Sequence, residues 1–341
     1  MRDLKYLAAY LIPLTAVLAL SFQGIWSYST VLFAFGLIPL VEPFLPRSEV
    51  NLTSEQRQAK LKNRLFDWLL YLNLPILYGI IAGFVYVLAT FQLAGHEMTG
   101  LVLSVGIVIG TCGINVGHEL GHRQNPAEQL IAKLLLLPAL YMHFFIEHNR
   151  GHHKNVATPD DPATARYGEM LYIFWIRSTI GSYWNAWRLE GKRLKQQGRP
   201  FWSLHNEMIV FLLLQTVYLA TLWLVFSFTI MVLVGLAGVV GFLLLESINY
   251  IEHYGLQRAL LANGRYERVL PKHSWNANFE LGRIILYELT RHSDHHYLAS
   301  KKYQTLDHHD ESPQLPVGYP AAMLMALAPP LWFKVMNKRI K

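Results

Sequence analysis

The sequence predicts an all-α integral-membrane protein with six transmembrane helices, organised as a single domain over residues 1–341. Three observations carry that expectation. Hydrophobic residues make up 52% of the chain and charged residues only 16%, where a soluble domain carries about 25% charge. Six apolar runs approach or exceed the length of about 20 residues that a helix needs to cross a hydrocarbon core about 30 Å thick. Lys and Arg are absent from those runs and confined to alternate connections.

The spans are read at roughly 6–22, 26–45, 69–91, 99–117, 208–227 and 229–248. The first follows Arg2 and Lys5, as the apolar part of a signal peptide would, but no small-residue cleavage site stands near 22–27, so a retained helix is expected. Segments 23–25, 92–98 and residue 228 carry no Lys or Arg, and all 30 basic residues lie in 1–5, 46–68, 118–207 and after 248. The positive-inside rule then places both termini and the long loops in the cytoplasm of a multi-pass inner-membrane protein. That topology accounts for the net charge of +7. No basic stripe or nucleic-acid motif accompanies it, so nucleic acid is not an expected partner.

Between spans four and five, segment 130–146 is apolar but contains Lys133 and Pro138 and joins two histidine clusters. A full crossing would leave those clusters on opposite faces; a re-entrant element buried in protein keeps them together. Segments 171–187, with Arg177 inside, and 321–336, with Pro329-Pro330, read as interfacial. Residues 196–200 form the clearest turn before span five.

Nine of the fifteen histidines fall into four groups. His118-Glu119-Leu120-Gly121-His122 ends span four, and its i, i+4 spacing puts both imidazoles on one helix face. In Glu147-His148-Asn149-Arg150-Gly151-His152-His153, a helical reading gives His148 and His152 a common face and turns His153 away, so that one cluster serves two metals. Asn249-Tyr250-Ile251-Glu252-His253 ends span six, with Asn249 one turn before His253 as a candidate outer partner. Arg291-His292-Ser293-Asp294-His295-His296 has offsets of three and four. All four groups lie on the face that the charge rule makes cytoplasmic, and ionisable residues at a membrane are functional candidates by default.

Nine donors exceed what one ion takes, so two metals are expected. Imidazole suits iron, zinc and copper, but zinc has no redox chemistry. The single cysteine, Cys112, excludes a disulfide framework within the chain and a self-contained iron–sulfur centre. No strand-flanked G-x-G-x-x-G marks a flavin or nicotinamide domain. Electrons must therefore come from another protein, and iron with dioxygen fits best. Of the other histidines, His96 and His205 read as solvated or interfacial, His143 as a candidate outer partner, and His308 and His309 as polar tail residues. His273 lies in Lys272-His273-Ser274-Trp275-Asn276.

At these motifs the chain resembles the membrane alkane 1-monooxygenase (alkane omega-hydroxylase) family, within the membrane desaturase and hydroxylase superfamily. The four groups carry the resemblance, extended by Tyr254-Gly255-Leu256, Ala157-Thr158-Pro159-Asp160-Asp161-Pro162, His273-Ser274-Trp275-Asn276 and Tyr303-Gln304-Thr305-Leu306. It implies two non-haem irons, with His118, His122, His148, His152, His153, His253, His292, His295 and His296 as ligands. It also implies dioxygen as co-substrate, electrons from a rubredoxin fed by its reductase, and conversion of n-alkanes drawn from the membrane lipid to 1-alcohols. The alternatives are a fatty-acyl desaturase or hydroxylase and an aromatic-methyl hydroxylase; the stretch from Asn249 to Leu256 favours alkanes. A metal transporter would place ligands near the midplane on broken helices, where these spans have none. Bulky residues of spans one to three, such as Trp26 or Phe33, are expected to limit chain length. The basic cytoplasmic face, including Lys192, Arg193 and Lys195, is expected to attract an acidic carrier.

Overall fold

The computed structural model describes residues 2–340. Among them, six helices are long and apolar enough to cross a membrane: Asp3–Phe22, Gly24–Phe44, Leu65–Thr90, Gly95–Gly121, Glu207–Val225 and Phe228–His253. All six expected spans are present, and the described residues contain no β-strand beyond isolated bridges. The fourth and sixth helices run further than hydropathy indicates. Polar Asn115, Ser247 and Asn249 are buried against protein, so the backbone has no reason to leave the helix there. The extensions carry the first and third histidine groups on continuous helix.

The fourth span is the central one, with 83% of its apolar window buried against 17% for the fifth. Small residues bring it against the sixth span. A Cβ on Gly106 would lie 2.5 Å from the Val240 side chain, and one on Gly241 2.6 Å from Ile109. Within lipid, helix association relies on such close backbone approach. Ser227 caps the sixth span by accepting from Ile230 N at 3.2 Å, and Asn206 caps the fifth through Met208 N at 3.0 Å, as buried helix ends require.

Segment 130–146 is a re-entrant hairpin. Asn125 caps the helix Pro126–Leu136, which has proline at its start where the missing N–H costs nothing. A tight turn over Leu137–Ala139 leads to Leu140 at φ +55°, and the chain reverses. At this tip the Pro138 carbonyl lies so close to the sixth span that a Cβ on Gly238 would sit 2.6 Å away. Gly238 precedes His253 by fifteen positions (253 − 238), about 22 Å of helix, so the tip reaches deep into the bundle. The return limb runs through Phe144–Glu147, His148–His152 and His153–Asn155, which brings both clusters to the same end.

The helix Leu171–Gln196 continues well past its expected end, and Gly198 at φ +64° closes it at the expected turn. It exposes Ile173, Ile176, Ile180 and Trp184 as one stripe, the pattern of a helix lying on a lipid surface. Short helices Tyr319–Ala326 and Pro329–Met336 follow the last histidine group, the first of them packed on the sixth span. Ion pairs gather at the histidine end: Arg123 with Glu119 and Asp67, Lys133 with Glu207, and Arg150 with Glu190 and Glu207. The opposite end has only short connections at residues 23, 91–94 and 226–227.

Candidate metal centre

Four elements deliver nine imidazoles to one place. The end of the fourth span supplies His118 and His122, the hairpin supplies His148, His152 and His153, and the sixth span ends on His253. The helix His292–Tyr297 supplies His292, His295 and His296. They form two sets, His118, His122, His148, His153 and His295 in one and His152, His253, His292 and His296 in the other, the donor atoms of each lying within 4.8 Å of one another.

The division within the second group reverses the expectation from α-helical spacing. His148 shares a set with His153, and His152 faces the other set. The cause is local: residues 148–152 form a π-helical turn, which closes on i→i+5 rather than i→i+4. Two positions five apart therefore meet, with His148 Nε2 and His153 Nε2 at 3.0 Å. Gly151 lets this turn press inward, since a Cβ there would meet Glu147 Oε1 at 2.6 Å and Asn185 Nδ2 at 2.7 Å. The α-helical spacings elsewhere hold: His118 and His122 share a set, as do His292 and His296, while His295 turns to the opposite one.

The nitrogen contacts have the geometry of a coordination shell. His118 and His295 approach at 2.9 Å, His122 and His148 at 3.1 Å, and His253 and His292 at 3.2 Å, each through Nε2. Donors about 2.1 Å from an ion occupy neighbouring corners of an octahedron about 3.0 Å apart. His148 Nε2 meets two such nitrogens at once, although a neutral ring nitrogen has either one proton or one lone pair to offer. His152 Nε2 and both His296 nitrogens are buried without hydrogen-bond partners. These side chains fit a pair of metal ions.

Outer partners hold the rings. His152 Nδ1 bonds to Asp161 Oδ2 at 2.8 Å, and Asp161 is fixed in turn by the Thr164 hydroxyl at 2.6 Å. This carboxylate–histidine pairing orients the opposite nitrogen inward. Burial, and then the neighbouring histidines, push His122 down to about 3 and hold His148, His153, His292, His295 and His296 well below the ordinary imidazole range. Rings kept neutral are in the ligating form. At Asp161, burial would raise the carboxyl, but its pairing with His152 and the Thr164 hydrogen bond outweigh it and hold it down.

Several secondary expectations need correction. Asn249 bonds to Glu246 at 3.5 Å and faces a cavity; it is the Ser274 hydroxyl that lies 3.5 Å from His253 Nδ1. His143 joins neither set and packs edge-to-face against Tyr141 and Tyr183. His309 is no free tail residue: its Nε2 lies 2.7 Å from Asp294 Oδ1, and Lys301 and the Asp307 amide bond to the same carboxylate. His308 meets Asn278 at 3.0 Å. His309, Lys301 and the Asp307 amide together brace the helix bearing the last three histidines. Spacing gave no sign of this, though the acidic residue among three histidines was visible.

An elongated apolar cavity with about 80 Å³ of free volume ends at this centre. Ile12, Phe35, Ile38, Ile107, Leu244 and Met323 line it, with His118, His148, His292 and Glu252 at the polar end. Trp26 and Phe33 do not line it: Trp26 is exposed in the first turn of the second span, and the π-helical stretch Leu32–Leu37 presents Ala34 and Phe35 to the cavity.

Residues 95–323 match the model of the fatty acid desaturase family. Over 328 residues the chain is 39% identical to alkane 1-monooxygenase 2 of Pseudomonas aeruginosa, covering 94% of this chain and 85% of the relative. It is 37% identical over 366 residues to alkane 1-monooxygenase 2 of Alcanivorax borkumensis, covering 100% and 91%. The hydroxylase component XylM of the Pseudomonas putida xylene/toluene monooxygenase is 28% identical over 348 residues, covering 99% and 89%. A helical membrane bundle with paired histidine sets at one end, and this level of identity along nearly its whole length, make the chain a member of the alkane 1-monooxygenase family, an oxidoreductase of the monooxygenase type.

Proposed function

We propose that the chain hydroxylates the terminal methyl group of n-alkanes. The balance is R–CH3 + O2 + 2 electrons + 2 protons giving R–CH2OH + H2O. The observation that carries this reading is the cavity: its lining is mostly apolar, it includes no Lys or Arg among the described residues, and it reaches three of the nine histidines. Along the fourth span its lining runs from Ile107 to His118, eleven positions (118 − 107), or about 16 Å of helix. A slot lined in this way takes an extended chain end-on and offers no cation to pair with a carboxylate.

The nine histidines are the proposed ligands of two irons, five on one and four on the other. Bound there, the irons would supply dioxygen activation and insertion of one oxygen atom into a C–H bond. The protein supplies the rest. Asp161 and the brace around Asp294 hold the rings in place, and the apolar walls exclude water. The slot presents the methyl end first, so that positioning overrides the weaker internal C–H bonds. Rubredoxin with its reductase is the proposed electron source. The whole chain acts as one domain, an inner-membrane protein with its histidine end in the cytoplasm.

Hydroxylation of an aromatic methyl group is the second reading, supported by the XylM relative; the length of the lining along the fourth span, from Ile107 to His118, favours a linear chain. Feeding n-alkanes of several lengths to cells expressing the chain with rubredoxin and its reductase, with products read by gas chromatography, tests this. Mostly 1-alcohols are expected. Secondary alcohols would refute end-on entry, and benzylic products without alkane turnover would favour the second reading.

A further inference from the structure

We propose that Glu252 is a fifth donor to the four-histidine set, a carboxylate ligand at the mouth of the apolar cavity. This rests on the two-metal reading above. The two sets are unequal, five imidazoles against four. Glu252 is fully buried beside the smaller one, next in sequence to His253. The Tyr319 hydroxyl holds its Oε1 at 2.7 Å. Its Oε2 is buried and has no hydrogen-bond partner.

That free oxygen lies 3.1 Å from His292 Nε2. The same nitrogen lies 3.2 Å from His253 Nε2. Both distances match the spacing of adjacent donors in the histidine sets, about 3.0 Å for an octahedral edge. His292 Nε2 already faces the shared centre with His253, and a nitrogen that binds a metal through its lone pair has no proton to donate to the carboxylate. The oxygen lies at the edge of that set, outside the 4.8 Å within which the four histidine donors gather, and a turn of the carboxylate about its side-chain bonds brings it to the ion that His253 and His292 share. Charge points the same way. Neutral imidazoles bring no charge to two divalent ions, Asp161 acts on them only through His152, and an ionised carboxylate stays buried only when it is paired or bound to a metal. Among the described residues no Lys or Arg side chain bonds to Glu252, whose side-chain contacts are Tyr319 and His292.

A hard oxygen donor on one metal and only nitrogen on the other makes the two irons inequivalent. The test uses the full chain in lipid nanodiscs loaded with ferrous 57Fe, with iron counted per chain and Mössbauer spectra recorded. The native chain should hold two irons in two quadrupole doublets of equal area. In Glu252→Gln, one doublet should shift or disappear and the other stay in place. Iron at that site should weaken by more than the roughly 10–100-fold typical of losing an outer partner. Glu252→Asp keeps the charge but draws the oxygen back by one methylene, and should move the same doublet; it decides the matter if the Gln variant does not fold. Tyr319→Phe removes only the clamp and should do less than Glu252→Gln. Two irons with both doublets unchanged in a folded Glu252 variant would overturn the proposal and leave the two-metal reading standing. A native chain that binds fewer than two irons would overturn both.

Discussion

Asp161 shows how much of the centre depends on residues that are not proposed ligands. Its carboxylate grips His152 Nδ1 at 2.8 Å and is itself gripped by Thr164, so the ring has one orientation available. Asp161→Asn keeps the shape but weakens the grip and frees the choice of tautomer. It should lower metal affinity by roughly 10–100-fold while the helical content measured by circular dichroism stays constant. Competition against a graded series of chelators measures this, and an unchanged midpoint would remove Asp161 from the centre. Among the proposed ligands, His148→Ala and His295→Ala should abolish turnover, because both belong to the five-imidazole set and each leaves partner nitrogens without their shared centre. Turnover at the native level in either variant would sink the metal-site reading.

At the scale of elements, the hairpin 126–155 is the part on which the site most depends, since it carries three of the nine histidines. Its tip rests on Gly238, where an added methyl would meet the Pro138 carbonyl at 2.6 Å. A backbone carbonyl in a tight turn cannot swing aside as a flexible side chain can. Gly238→Ala should therefore cost about 1–3 kcal/mol and lower metal occupancy by lifting the hairpin. Gly79→Ala is the comparison, since nothing lies within 4 Å of its added Cβ, and it should melt at or above the native temperature. Thermal unfolding in detergent, read with metal content, distinguishes the two; equal melting temperatures would mean that the tip is not in tight contact. The two π-helical stretches act at this scale as well. Each shifts the phase of the residues beyond it, at 32–37 changing which aromatic ring meets the cavity and at 148–152 deciding which histidine joins which set.

For the whole molecule, the charge asymmetry and the clustering of histidines at one end both imply a cytoplasmic active face. A reporter fused after Lys341 should behave as cytoplasmic, and a periplasmic signal would mean that the number of crossings is wrong. The same face should recruit the electron donor. Lys192 and Lys195 are exposed, whereas Arg193 is committed to Glu190 at 2.5 Å and to the His205 carbonyl, so it contributes less to a docking field than its sequence position indicates. With an acidic carrier limiting, turnover should fall as salt rises. Turnover that is independent of salt would argue against electrostatic recruitment.

The six spans, the common end of the histidine groups and the re-entrant segment were legible in the sequence because they follow from local quantities. Twenty apolar residues make a span whatever surrounds them, Lys and Arg mark a side, and Lys133 with Pro138 disfavours a crossing. Nine histidines in four groups were equally plain. The partition into five and four was not, because a π turn adds a residue to one helical turn and no propensity in His148–Gly151–His152 announces it. Hydropathy ends the fourth and sixth spans at 117 and 248 because it assumes lipid outside, and only packing shows that protein surrounds the helix beyond them. Glu252, Asp161 and His309 acquire their roles from partners 40, 9 and 15 positions away (292 − 252, 161 − 152 and 309 − 294). The sequence determined which side chains the chain brings together and at which end of the helical bundle they gather. The tertiary structure decided which donors share a centre, because that depends on distances across elements that the chain order does not contain.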